Sequence, residues 1–143
     1  MHKWLIARWN ERVKVEDTVY IIGDSYFHIG EKKGLQYYLD QLNGNKVVLS
    51  GNHDERNKAK TIIHSCVIEL GGFNMYLTHR PEDADLNYCV NLVGHVHKKW
   101  KVMDVEGSTL VNVGVDVWNY QPVSFNEIMA LVYEYKRRKE NNE

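Results

Sequence analysis

Apolar positions along the chain fall into two periods, one helical and one extended. Leu5, Ile6, Trp9 and Val13 keep the helical spacing and predict an amphipathic helix over residues 3–14, although no Ser, Thr, Asp or Asn precedes it as a cap. After Glu16-Asp17, residues 18–22 (Thr-Val-Tyr-Ile-Ile) are β-branched and aromatic and read as a buried strand. Leu35, Tyr38, Leu39 and Leu42 return to the i, i+3, i+4, i+7 spacing of a helix with one buried face, which Asn43-Gly44-Asn45 ends. Residues 47–49 (Val-Val-Leu) form the next strand. Strand, helix, strand is the crossover of two parallel neighbours, and its connection should be right-handed. Both strands then release the chain at the same, carboxyl end of one sheet.

The second half is richer in turns. Residues 67–70 and 73–77 flank Gly71-Gly72 and predict a two-residue hairpin. Residues 89–93 are an apolar strand, and residues 100–105 and 108–113 form another hairpin across Glu106-Gly107. Ser124-Phe-Asn-Glu127 has the form of a capping box. The following Ile128, Met129, Leu131, Val132 and Tyr135 continue as an amphipathic helix, with a strand as the alternative. From about residue 136, Lys136-Arg-Arg-Lys139 begins a charged, solvated tail. Residues 1–143 make a single domain.

Chemistry collects at the strand ends. One apolar run leads into Gly23-Asp24, a second into Gly51 with Asn52, His53 and Asp54, a third into Thr78-His79, and a fourth into Gly94-His95-Val96-His97. Carboxylate, carboxamide and imidazole together are the donors of a hydrolytic site for a divalent transition metal. His95 and His97 are two residues apart, which in an extended segment points both to the same side. His53 reads equally as a ligand or as an acid–base group. His28 and His64 match no such position and read as surface histidines, His28 with a supporting role as its variant. Arg56 and Lys58 read as a solvated segment. Arg80 could clamp two phosphoryl oxygens, and an ion pair with Glu82, Asp83 or Asp85 is the plainer reading. Asn112 and Asp116, either side of Gly114, support the site or simply build a turn.

Composition narrows the function classes. A chain of 143 residues with 43% hydrophobic content buries one sizeable core. A formal charge of -1 gives no electrostatic case for nucleic acid as a bulk partner. Small phosphorylated substrates stay open, because a metal supplies positive charge locally. Cys66 and Cys89 lack zinc-pair spacing and read as two reduced core thiols. With no apolar run of membrane-spanning length and no signal peptide, the expected location is the cytoplasm, away from the membrane.

The ordered series Gly23-Asp24, Gly51-Asn52-His53-Asp54, Thr78-His79 and Gly94-His95-Val96-His97 resembles the calcineurin-like metallophosphoesterase superfamily in its small bacterial and phage form. Arg8-Trp9-Asn10 and residues 17–20, 112–116 and 122–124 extend the resemblance over roughly residues 3–130. The resemblance implies an α/β fold of two mixed β-sheets packed face to face and flanked by helices. It implies a metal-dependent hydrolase of a phosphomonoester or phosphodiester, acting through metal-activated water with two divalent transition metals drawn from manganese, iron, zinc and nickel. By the same resemblance Asp24 bridges the metals, Asn52, His79 and His95 complete one site, and His97 belongs to the other. His53 is the catalytic acid or hydrogen-bond donor to the leaving oxygen, oriented by Asp54, and Asn52, His53 and Arg80 face the substrate.

There is one departure. Proteins of this family begin with a strand ending in Asp-x-His, and no Asp-x-His lies upstream of Gly23, the first histidine being His2. The expectation is therefore a fold without its first strand, one well-formed metal site and a second reduced to Asp24 and His97. Loss of one oxyanion donor elsewhere costs about 2.7–4 kcal/mol, so loss of a whole cation predicts an impaired hydrolase. The alternative is a one-metal module that binds a phosphorylated ligand or a protein partner. A missing strand would also leave an open edge beside residues 18–22, inviting a homo-oligomer or a strand lent by another chain.

Overall fold

Two β-sheets and three α-helices make up the computed structural model, which describes residues 2–22, 35–50 and 63–142. Helix α1 spans His2–Arg12 and leads into strand β1 (Thr18–Ile22). Helix α2 (Leu35–Leu39) and strand β2 (Asn45–Leu49) follow. β1 and β2 pair in parallel from Thr18 opposite Asn45 to Ile22 opposite Leu49, the strand–helix–strand unit read from the sequence. The turn into β2 needs glycine: Gly44 has φ +95°, and a Cβ there would stand 2.9 Å from both the Asp17 carbonyl and a Val13 methyl. α2 is shorter than its apolar pattern, yet Leu42 beyond its end is buried with Tyr38 and Leu39.

The second sheet has five strands in the order β3-β4-β5-β7-β6. β3 (Ser65–Leu70) and β4 (Phe73–Thr78) are an antiparallel hairpin whose Gly71 and Gly72 both take positive φ, which is why a Gly-Gly pair marks the turn. β5 (Val90–Val93) lies parallel between β4 and β7 (Ser108–Asn112), and β6 (Val102–Val105) closes the edge antiparallel to β7. β5 and β7 are buried at every position, as central strands covered on both faces should be.

Ile22 and Leu49 of the first sheet share one core with Met75, Leu77, Leu92 and Val111 of the second. Helix α3 (Phe125–Asn141) adds Ile128 and Val132 to that core. It opens on the predicted capping box: the Ser124 hydroxyl accepts from the Glu127 N–H, and the Glu127 carboxylate accepts from the Ser124 N–H. The fold is α/β, two sheets flanked by helices, as expected. No helix of the described residues is long and apolar enough to cross a membrane.

Three local expectations change. The charged run at 136–139 is not a loose tail but the last turns of α3, where Arg137 and Arg138 pair with Glu134 and Lys139 reaches Asp104. Cys89 is exposed, because its strand begins one residue later, whereas Cys66 is half-buried and burial pushes its thiol pKa up. In β1 only Ile22 is buried, and Val19, Tyr20 and Ile21 keep partial exposure.

Candidate metal centre

The carboxyl ends of β1, β4 and β5 meet. His79 directly follows β4 and is 5% exposed, with its Nδ1 3.0 Å from the Ile22 carbonyl at the end of β1. A carbonyl only accepts, so Nδ1 carries a proton, the kind of bond that orients a metal-ligating histidine. Gly94 ends β5, and its N–H donates to the His79 carbonyl at 2.9 Å. Space decides for glycine here: a Cβ would lie 3.2 Å from the Ile22 carbonyl oxygen and 3.6 Å from His79 Nδ1. His95 then sets its ring edge-on to His79, with centroids 5.0 Å apart and planes at 76°.

The loop carrying His95 and His97 is not extended. Both residues take left-handed φ, +70° and +50°, and the Val96 N–H turns back to the Gly94 carbonyl at 2.8 Å. The simple two-residue alternation therefore does not describe how the imidazoles are aimed. Positive φ is uncommon outside glycine and persists where the surroundings impose it. Here the imposing group is Asn112, fully buried at the end of β7. Its Nδ2 donates to the carbonyls of His97 (2.8 Å) and Trp100 (2.9 Å), and its Oδ1 accepts from the Gly114 N–H (2.9 Å). The Asn112 carbonyl in turn accepts from the Trp118 indole at 2.8 Å. A 3-10 turn at Val115–Val117 places Asp116, whose Oδ2 is 3.2 Å from His97 Nδ1. His97, like His79, is thus held through Nδ1, on a side chain 76% exposed.

Asn112 and Asp116, which the sequence left between support and turn, both contact His97, through its carbonyl and its Nδ1. No periodicity reports a contact such as His97 with Asp116, because only the folded hairpin brings them together. Arg80 is exposed, and among the described residues it makes no ion pair with Glu82, Asp83 or Asp85. Asp24, Asn52, His53 and Asp54 lie outside the described residues, as do His28, Arg56 and Lys58. The described strand ends that precede the four, Ile22 and Leu49, are in register. The stems of segment 51–62 are joined by the Ser50 N–H donating to the Ile63 carbonyl (2.8 Å) and by Ser50 Oγ against His64 Nδ1 (2.7 Å).

Among the described residues no three His, Cys, Asp or Glu side chains form a metal-binding group by themselves. The donor chemistry nevertheless fits a divalent transition metal: His79 and His97 each set Nδ1 against an oxygen, the partner that orients a ligating imidazole. A cavity of about 640 Å³ runs from β1 to His79, His95 and His97.

No protein-family model matches the chain. In structure it is similar to a protein of unknown function, AQ665 from Aquifex aeolicus, with a TM-score of 0.67 and 24% identity over 91% of this chain and 84% of that one. It is also similar to a single mutant of Vps29 from Entamoeba histolytica, with a TM-score of 0.52 and 22% identity over 78% of this chain and 63% of that one. These likenesses show the fold, an arrangement of sheets and helices shared with AQ665 and Vps29. In sequence it is 33% identical over 144 residues to the uncharacterized protein MJ1445 from Methanocaldococcus jannaschii, covering 95% of this chain and 77% of the relative. The chain therefore belongs to the same family as the Methanocaldococcus jannaschii protein MJ1445.

Proposed function

We propose that the chain is a metal-dependent phosphoesterase, hydrolysing a small phosphomonoester or phosphodiester, with its metal centre at the carboxyl ends of the strands. The observation that carries this reading is the pair of oriented imidazoles. His79 and His97 come from different strand ends, and each has its Nδ1 tied to an oxygen, at 3.0 and 3.2 Å.

In this reading Asp24, Asn52, His79 and His95 hold one divalent transition metal, with manganese, iron, zinc and nickel all suited to the donors. Asp24 and His97 would serve a second. A bound cation supplies the positive charge that activates a water and offsets charge on the phosphoryl oxygens. The neutral carboxamide of Asn52 keeps that charge high. His53 donates a hydrogen bond or proton to the leaving oxygen, Asp54 fixes its imidazole, and Arg80 clamps phosphoryl oxygens through its guanidinium.

The test is hydrolysis of p-nitrophenyl phosphate and bis(p-nitrophenyl) phosphate with manganese, zinc or nickel added to stripped protein. Slow, metal-dependent turnover that disappears in His79→Ala and His53→Ala variants is the expected result. Turnover that ignores both the metal and His79 would sink the proposal.

A further inference from the structure

Arg8, Trp9 and Asn10 are consecutive on α1, and successive residues of an α-helix point about 100° apart. Side chains 8 and 10 therefore leave the helix on opposite flanks, and each meets a polar backbone group. On one flank the Asn10 carboxamide donates to the Gln41 carbonyl (2.9 Å) and accepts from the Asn43 N–H (2.8 Å). Beside it, Trp9 Nε1 donates to the Asn43 carbonyl at 2.9 Å. On the other flank the Arg8 guanidinium donates through Nε (3.1 Å) and Nη2 (2.8 Å) to a single acceptor, the Asn119 carbonyl. α1 is thus anchored on the turn into β2 and holds Asn119 from there.

What Arg8 holds is a turn that the core does not fix. None of residues 113–121 is buried. Asn119 and Tyr120 both take left-handed φ, +57° and +60°, a conformation that is costly with a Cβ and persists where contacts impose it. The Tyr120 N–H donates back to the Val115 carbonyl at 2.8 Å, which closes a loop around Asp116. Asn112 fastens the entry of this loop through the Gly114 N–H, and Arg8 fastens its exit. Trp4 backs the exit: its ring centroid lies 5.3 Å from the Arg8 guanidinium carbon and 5.6 Å from the Tyr120 ring.

Asp116 is the residue of this loop that reaches the site, with Oδ2 3.2 Å from His97 Nδ1. The His97 side chain is 76% exposed, so the place of that carboxylate, more than packing, decides where the ring points. We infer that Arg8 is a positioning residue for the metal centre: by locking the left-handed pair Asn119 and Tyr120, it holds Asp116 against His97. A guanidinium suits this task. Its N–H donors sit in a rigid fork, so two of them share one carbonyl, where a lysine offers a rotating amine on a flexible stem. Arg12, one turn further along α1, donates to the Pro122 carbonyl at 3.1 Å and pairs with Glu127. It fastens the start of α3 and not the turn at 115–120, which makes it the control. The consequence for metal rests on the reading of His97 as a ligand; the link from Arg8 to His97 does not.

The test is a long-range proton–nitrogen NMR spectrum of the histidine rings in the full chain stripped of metal. Wild type is compared with Arg8→Ala, Arg8→Lys, Arg12→Ala and Asp116→Asn. Arg8→Ala should move the His97 ring signals in the same direction as Asp116→Asn and leave His79 in place. Arg8→Lys, which keeps the charge, should move them less, and Arg12→Ala should leave His97 unmoved. Zinc is then titrated in and followed on the same His97 signals. Loss of a group that orients a ligand weakens metal binding about 10–100-fold, so a residue one step behind it should raise the zinc midpoint about three- to tenfold. His97 signals that ignore Arg8→Ala, or that move as far in Arg12→Ala, would overturn the inference. So would an unchanged zinc midpoint. Wild-type His97 signals that ignore zinc would instead refute the metal reading of His97, and the spectra of the stripped protein would still decide the link to Arg8.

Discussion

Replacing Asn112 with alanine should destabilise the protein by roughly 3–5 kcal/mol, counting about 1 kcal/mol for each hydrogen bond and more for a buried group left unpaired. Three bonds go: two donated to the His97 and Trp100 carbonyls and one accepted from Gly114. The side chain is fully buried, so water cannot replace it without entering the loop. The exposed His97 carbonyl can turn to solvent, which sets the low end of the range, while an orphaned Gly114 N–H sets the high end. Against a total stability of about 5–15 kcal/mol this is a large fraction. A urea titration should show a midpoint lowered by about 2 M, given a slope of about 1–3 kcal/mol per M. Asn112→Asp should fare no better, because it turns a carboxylate toward two carbonyl oxygens. A loss below about 1 kcal/mol in the alanine variant would refute the reasoning that these bonds hold the His95–His97 loop in its left-handed form.

Three further outcomes follow from single contacts. Gly94→Ala should cost about 1–3 kcal/mol by overpacking and lengthen the His79–Ile22 bond, visible as an upfield move of the His79 Nδ1 proton by NMR; an unshifted proton would contradict it. Burial pushes the Asp104 carboxyl up, but hydrogen bonds from Lys139 and Thr109 with the Lys139 and Lys136 charges outweigh it and hold the pKa below the usual range. Its stabilising share is therefore complete above the unfolded pKa near 3.9 and lost as pH falls through the lower folded value. Chemical denaturation at pH 6 and pH 3 should show a loss that is smaller in Asp104→Asn, by up to about 1 kcal/mol for so exposed a pair. Ser124→Ala removes half the capping box and should cost about 1 kcal/mol in a urea titration, with most of it recovered in Ser124→Asp.

The elements that sequence predicts best here are those whose local chemistry admits one backbone. Gly71-Gly72 and Glu106-Gly107 sit where two successive positive φ values are needed, and both hairpins form where expected. The capping box at Ser124 and the strand–helix–strand unit likewise state their geometry within a few residues. The charged end of α3 reads as a tail because its stabilising partners, Glu134 one turn back and Asp104 on β6, are invisible to composition.

For the candidate site, position at a strand end marks His79, His95 and His97 in the sequence, and the fold gathers the strand ends that carry them. What the pattern does not carry is orientation. Two histidines two apart look extended until Asn112, fifteen residues downstream of His97, bends their loop through its carbonyls. The aim of the His79 and His97 rings depends on Ile22 and Asp116, 57 and 19 residues away. Such contacts follow from tertiary packing, which no local period encodes.

The central claim is a metal centre at these strand ends, and metal content tests it most directly. Protein purified from manganese-supplemented medium, then measured by elemental analysis, should hold about one divalent ion per chain, as expected of a hydrolytic transition-metal site. That ion should be lost in His79→Ala and in Asn52→Ala and kept in His64→Ala. A chain that binds no metal under these conditions, or keeps it without His79, would contradict the account.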